Sequence, residues 1–269
     1  MLVLASALLH ASWNLIVKGS QDRLIAGFAQ AAFGAIVFSP VLFISGIPTE
    51  VWPAIALSSF IHLTYTVTLV TAYNHGDMSL VYPVARGTAP ILVTIAAALL
   101  LDDVPSVAGM LAIALAVGGV FWVAAGKNRN GIWWAILTGG IIAAYTVNDA
   151  AAVRSLEAAL PYTIATFFGQ TLLLIPVIMW RRSLTQAVTS LRMEWRRHLF
   201  AGMASAGAYA LVLSAARLAP LGLVAAFRET SVVFGTLGGL WILKEPAARS
   251  RLKGAALIAA GLVVLVISS

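Results

Sequence analysis

The 269-residue chain contains no cysteine, which excludes disulfides, iron–sulfur clusters and thiolate zinc sites. Histidine is nearly as scarce, and the four residues, at positions 10, 62, 75 and 198, lie too far apart for a metal-ligand motif. Charge is sparse at 10% of residues, against about 25% in soluble domains. No P-loop is present, because Gly126-Lys127 is followed by Asn128 and lacks the upstream glycine, so this chain cannot hydrolyse ATP. HExxH, aspartate-rich metal motifs and a Ser–His pair at useful spacing are missing too, which argues against an integral membrane enzyme. No catalytic residue, metal ligand or cofactor is therefore expected. The opening MLVLASALLHASWN lacks the basic start and small-residue cleavage site of a signal peptide, and reads as a spanning helix.

What the chain has is apolar length. Hydrophobic residues make up 61% and the mean hydropathy is +0.94. Runs long enough to cross a bilayer core fall at roughly 2–18, 24–45, 52–73, 79–101, 107–125, 132–152, 161–180, 199–217, 222–243 and 252–268. The fold class expected is all-α, a polytopic membrane protein of ten transmembrane helices. The net charge of +7 sits mainly between these runs, so the partner it implies is a lipid bilayer and not nucleic acid. Loops after the first, fifth, seventh and ninth spans hold thirteen lysines and arginines, and the other side holds only Arg154 and Arg217. The positive-inside rule then places both termini away from the cytoplasm. In the longest loop, Leu184, Val188, Leu191 and Trp195 recur at helical spacing among arginines, as in a helix lying on an anionic surface.

The fourth run carries an arginine deep inside it. Arg86 lies between Pro83 and Pro90, and an offset of 142 residues carries Arg86 to Arg228, Thr88 to Thr230, Asp103 to Glu245 and Gly119 to Gly261. Asn14 matches Asn148 at 134, and Pro40 matches Pro176 at 136. Two five-helix repeats follow, over 1–126 and 127–269. An odd number of spans in each inserts the second upside down relative to the first, and inverted repeats place their site near the bilayer midplane.

The opening LLHASWNLIVKGS and the paired endings LLLDDVPSVAGMLAIALAVGGV and LWILKEPAARSRLKGAALIAAGLVV resemble the drug/metabolite transporter superfamily, in its ten-helix EamA-type branch. The resemblance spans the whole chain. It implies a basket of ten helices that exports or exchanges small metabolites across the cell inner (plasma) membrane without a cofactor. Two departures stand out: Asp102-Asp103 replaces a usual glutamate, and the better-known relatives keep both termini in the cytoplasm.

A rise of about 1.5 Å per residue puts Arg86 roughly 13 Å into its span, with Arg228 at similar depth from the other face. A buried membrane arginine costs about 2.5 kcal/mol or more and marks a functional site. Two readings stand: the guanidiniums bind a carboxylate or phosphate substrate bidentately, or each belongs to a structural or gating ion pair. Tyr82 sits one turn before Arg86, and Trp13, Asn14, Tyr65 and Asn148 are polar residues within neighbouring spans; these complete the candidate substrate site. Asp149, Glu229 and His10 are candidates for proton coupling, ion pairing or holding a substrate amine. The function expected is secondary transport of a small polar, anionic or zwitterionic metabolite. The alternatives are a flippase for a lipid-linked headgroup and, in another class, a membrane enzyme or scaffold. A monomer contains both repeats and suffices, with a dimer left open.

Overall fold

The computed structural model describes residues 1–100, 129–219 and 221–245, with scattered positions between 106 and 122 and between 252 and 261. Asp102-Asp103, Lys127 and most of the expected fifth span lie outside the described residues. The tenth is described only as a short apolar helix, Leu252–Gly261.

Every described element is helical: α1 (Leu2–Gly19), α2 (Arg23–Phe38), α3 (Pro40–Ser45), α4 (Trp52–His75), α5 (Met78–Leu100), α6 (Ile132–Val153), α7 (Ala159–Arg181), α8 (Leu184–Met193), α9 (Trp195–Leu218), α10 (Leu221–Arg228) and α11 (Thr230–Trp241). The protein is an all-α, polytopic membrane protein. By length and composition, α1, α4 (with its leading turn), α5, α6, α7 and α9 are each able to cross a membrane. Their outward faces carry exposed Ile95, Leu99, Leu172, Met179, Phe200 and Met203, the surface a bilayer covers.

Two of the expected spans are interrupted. Pro40 has no N–H to give the preceding turn, so α2 ends at Phe38 and the chain restarts with Pro40 as the first residue of α3. The ninth span breaks at Glu229, between α10 and α11. There the backbone uses tighter bonds, Val232 N to Glu229 O at 2.9 Å and Thr230 Oγ1 to Phe227 O at 2.9 Å.

α1 packs on α9 and α11, and α6 packs on α4 and α5. α1 and α6 each end in a cation laid on carbonyls near the end of another helix, α4 and α9 respectively. Lys18 Nζ donates to Tyr73 O and Gly76 O, both at 2.7 Å, and Arg154 Nε donates to Ala216 O at 3.2 Å. Cations are favoured at helix C-termini by the dipole and the free carbonyls. α2 and α9 meet backbone to backbone: a Cβ at Gly202 would sit 2.6 Å from Gly34 N, so neither glycine has room for a side chain.

The basic surface helix forms as α8, held by a capping box in which Ser183 and Gln186 bond each other's backbone N–H. Ala187 is buried among Ile25 and Ile178, while Leu184, Val188 and Leu191 line a cleft against α2 and α7. Trp195 belongs to α9 instead. Beside this helix, Asp22 caps α2 by accepting from Leu24 N at 3.0 Å and Ile25 N at 3.2 Å, and it pairs with Arg182. Burial pushes the Asp22 carboxyl up, but the Arg182 hydrogen bond and the two amides outweigh it and hold the group below the ordinary carboxylate range.

Asp22→Ala should therefore cost about 1 kcal/mol at neutral pH through the lost cap. With the folded-state pKa depressed, the wild-type advantage is complete above the ordinary value of about 3.9 and fades as pH falls through the lower folded value. Thermal unfolding of both proteins in detergent at neutral and acid pH measures this, and equal melting temperatures at pH 7 would remove the cap from the account.

Candidate functional site

Arg86 reaches the interior from the middle of α5, a helix that runs through Pro83 and Pro90 without ending. Its guanidinium is 3% exposed and its Nη2 donates to Glu229 Oε1 at 2.7 Å, with the Glu229 side chain 2% exposed. Glu229 thus pairs with Arg86, reached from another helix, and not with the Arg228 beside it. Arg228 is different. It is buried, the one hydrogen bond it makes among the described residues is a long 3.4 Å contact to Thr146 Oγ1, and no described carboxylate lies within ion-pair distance. Arg86, Arg228, Glu229 and Thr146 line a small pocket whose remaining wall is apolar, from Ala89, Pro90, Val93, Ile142 and Ala225.

Tyr82 and His10 border this group, their rings 6.2 Å apart, and the charges of both arginines reach His10. Trp13 Nε1 donates to His10 Nδ1 at 3.4 Å, leaving His10 Nε2 buried without a partner. The Tyr82 hydroxyl and Ser231 Oγ lie near each other but close no hydrogen bond. Tyr82 fits only because position 235 is glycine, where a Cβ would come 2.6 Å from the ring.

Asp149 forms a second centre. Its carboxylate is fully buried and accepts from Ser58 Oγ at 2.9 Å, Tyr162 OH at 2.7 Å, Asn148 Nδ2 at 2.8 Å and the Tyr209 hydroxyl. Four neutral donors satisfy the carboxylate without a cation. His62 Nδ1 lies 2.9 Å from Ser58 O, which can only accept, and its ring stacks on Tyr145 at 4.3 Å. Tyr65 meets Tyr145 edge-on at 5.6 Å. One face of α6, carrying Tyr145, Thr146 and Asp149, joins the two centres.

The structure thus gathers Arg86, Arg228, Glu229, Tyr82, His10 and Trp13 into one group, and Asp149, Asn148 and Tyr65 into the adjoining one. Asn14 stands apart from both: its Oδ1 accepts from Tyr73 OH at 2.8 Å and its Nδ2 donates to His10 O at 2.9 Å. Sequence reasoning passed over Ser58, Tyr162, Thr146 and Phe167, whose ring lies 6.1 Å from Tyr209. Their only signal is a polar or aromatic side chain within an apolar run. Glu245, noted only as the counterpart of Asp103, accepts from Met78 N at 2.7 Å and Ser79 N at 2.8 Å, so it caps α5 from the far end of α11. Among the described residues no group of three His, Cys, Asp or Glu could hold a metal ion.

The energetics of the two arginines differ accordingly. Arg86→Ala strands the Glu229 carboxylate in the interior and should cost about 3–5 kcal/mol, much of it recovered when Glu229→Leu is added. Arg228→Ala gives up one long hydrogen bond and should cost about 1 kcal/mol. Thermal unfolding in detergent ranks the variants, and equal losses would erase the distinction.

The sequence matches the profile of the EamA-like transporter family over two stretches, residues 1–125 and 129–267. No curated protein matches it. Among the solved structures, one crystal structure has the same fold with a TM-score of 0.75, at 16% identity over 99% of this chain and 96% of that one.

Proposed function

The chain belongs to the EamA-like transporter family, whose members move small molecules across membranes and are not enzymes, and from that premise we propose that it exports or exchanges a small anionic or zwitterionic metabolite across the inner membrane. The observation that carries this reading is Arg228, a buried guanidinium with no carboxylate partner among the described residues, in a pocket it shares with Arg86. Holding a bare cation in a membrane interior is expensive, and an oxyanion ligand offsets that cost by closing paired hydrogen bonds with it.

In this reading Arg228 and Arg86 grip the anionic group, Tyr82, Trp13 and Tyr65 form the apolar and hydroxyl-bearing wall, and His10 and Glu229 adjust the charge. Asp149 and Asn148 hold the adjoining aromatic group in place and provide the pole nearest a substrate amine. Asn14 acts indirectly, by fixing Tyr73. Ten spans in two inverted repeats, 1–126 and 127–269, would rock about this point to expose it alternately to either side, with both termini on the non-cytoplasmic face. Two features support that arrangement: the family profile matches twice, at nearly these boundaries, and the Lys18 and Arg154 contacts recur at equivalent places.

Purified protein should be stabilised against heat by one or more members of a panel of small carboxylates, amino acids and inorganic phosphate, since a ligand of the folded state raises its stability. The shift should vanish in Arg228→Ala while that variant keeps most of its own stability. Stabilisation only by lipid-linked headgroups would move a flippase to the front. An Arg228→Ala protein that still binds the soluble anion would sink the assigned site.

A further inference from the structure

The ion pair is only half made. Glu229 Oε1 accepts from Arg86 Nη2 at 2.7 Å, while Glu229 Oε2 and Arg86 Nε are both buried with no hydrogen-bond partner among the described residues. A guanidinium and a carboxylate can close two parallel bonds. Here one is closed, and each group keeps one unused position in a site too dry to satisfy it with bulk water. A donor is free for a ligand oxygen, and an acceptor is free for a proton.

Resting on the anion-site reading above, we propose that Glu229 is the proton acceptor of the transporter, and that an anion and a proton bind together. The ligand's oxyanion takes over the Arg86 guanidinium, and the displaced Glu229 carboxylate gains an O–H bond on Oε2, its proton coming from the aqueous phase that delivers the anion. The charges set what the exchange provides. With Glu229 ionised, Arg86, Arg228 and Glu229 sum to one positive charge, and the carboxylate holds Arg86 Nη2, which leaves Nε open to a ligand. With Glu229 protonated, the sum is two positive charges and both guanidinium forks are open to one oxyanion, with no ionised carboxylate beside it to repel its second oxygen.

The surroundings single out this acid. The charges acting on Glu229 are Arg86, from α5, and the adjacent Arg228. Tyr82 on α5 senses Glu229, His10 on α1 senses both arginines, and Tyr145 on α6 acts on Arg86. The α9 groups His198, Tyr209 and Arg217 are not among the charges that act on Glu229, and α11 brings the uncharged Ser231. Asp149 differs: each of its oxygens already accepts from two described donors, so neither is bare as Glu229 Oε2 is. Glu245 is occupied by the amides of Met78 and Ser79. Glu229 also sits at the junction between α10 and α11.

The sign of the coupling follows. Anion and proton enter the site in the same half-cycle and travel in the same direction, so an inward proton gradient drives uptake or balanced exchange. Within the reading above, this favours exchange over net export.

The test is titration calorimetry with a pH-indicator dye in weakly buffered detergent, using the panel of small carboxylates, amino acids and inorganic phosphate on wild type, Glu229→Gln and Arg228→Ala. Wild type should take up about one proton per anion bound, with affinity rising up to about tenfold per pH unit on acidification. Glu229→Gln should bind without proton uptake and with flat pH dependence. Anion binding by wild type without proton uptake overturns the inference and leaves the anion site standing. Proton uptake that persists in Glu229→Gln also overturns it and shifts the role to another acid. Absence of binding by wild type to every soluble anion removes the anion-site reading and this inference with it. The proton count on wild type stands even if Glu229→Gln fails to fold.

Discussion

Arg86 and Glu229 can be buried only together. Removing either charge from water costs several kcal/mol, and only a close partner in the same dry region offsets it. Because one comes from α5 and the other from the junction between α10 and α11, the contact ties these helices together in the buried interior. Glu245 repeats the tie at one end of the bundle, reaching from beyond α11 to the first amides of α5. Any movement of α5 against α10 and α11 must therefore break or carry along these contacts. A rigid scaffold would have been cheaper to build from apolar side chains of similar volume, so retaining a half-satisfied ion pair in the interior is a mark of use.

The two acids of the core show how surroundings decide a role. Asp149 and Glu229 are both buried carboxylates, yet one is ringed by four neutral donors and the other has a single cationic partner and a bare oxygen. The first is fixed, and it fixes Ser58, Tyr162 and Tyr209 around it. Helix interruption follows the same division: α6 runs unbroken through Asp149, while the chain breaks its helix at Glu229.

Much of the architecture was legible in the sequence because a bilayer admits few solutions: runs of apolar residues become helices, and the offset of 142 finds Arg86 and Arg228 together. The pairing was not legible. Glu229 stands next to Arg228, but adjacent helical residues point about 100° apart, and its partner arrives from 143 positions away. Asn14 and Asn148, matched by offset, have different partners, one holding Tyr73 and the other Asp149. Lys18 and Arg154 each lie on carbonyls of a neighbouring helix, and both looked like ordinary loop charges. The prolines behave differently from one another. Pro40 begins a new helix, whereas Pro83, Pro90 and Pro176 lie inside helices, because neighbouring groups in a packed membrane bundle can satisfy the carbonyls they free.

The packing of α1 on α9 also sets a schedule for the ribosome. α1 leaves the tunnel first, but the helix it packs on most extensively, α9, is complete only when residue 218 has been made. At about 5–20 residues per second, the first helix waits roughly ten to forty seconds for its mate. During that time its His10, Trp13 and Asn14 face either lipid or whatever insertion machinery shelters them. Early assembly of this protein is therefore a problem of keeping one polar-faced helix in custody until the far end of the message has been read.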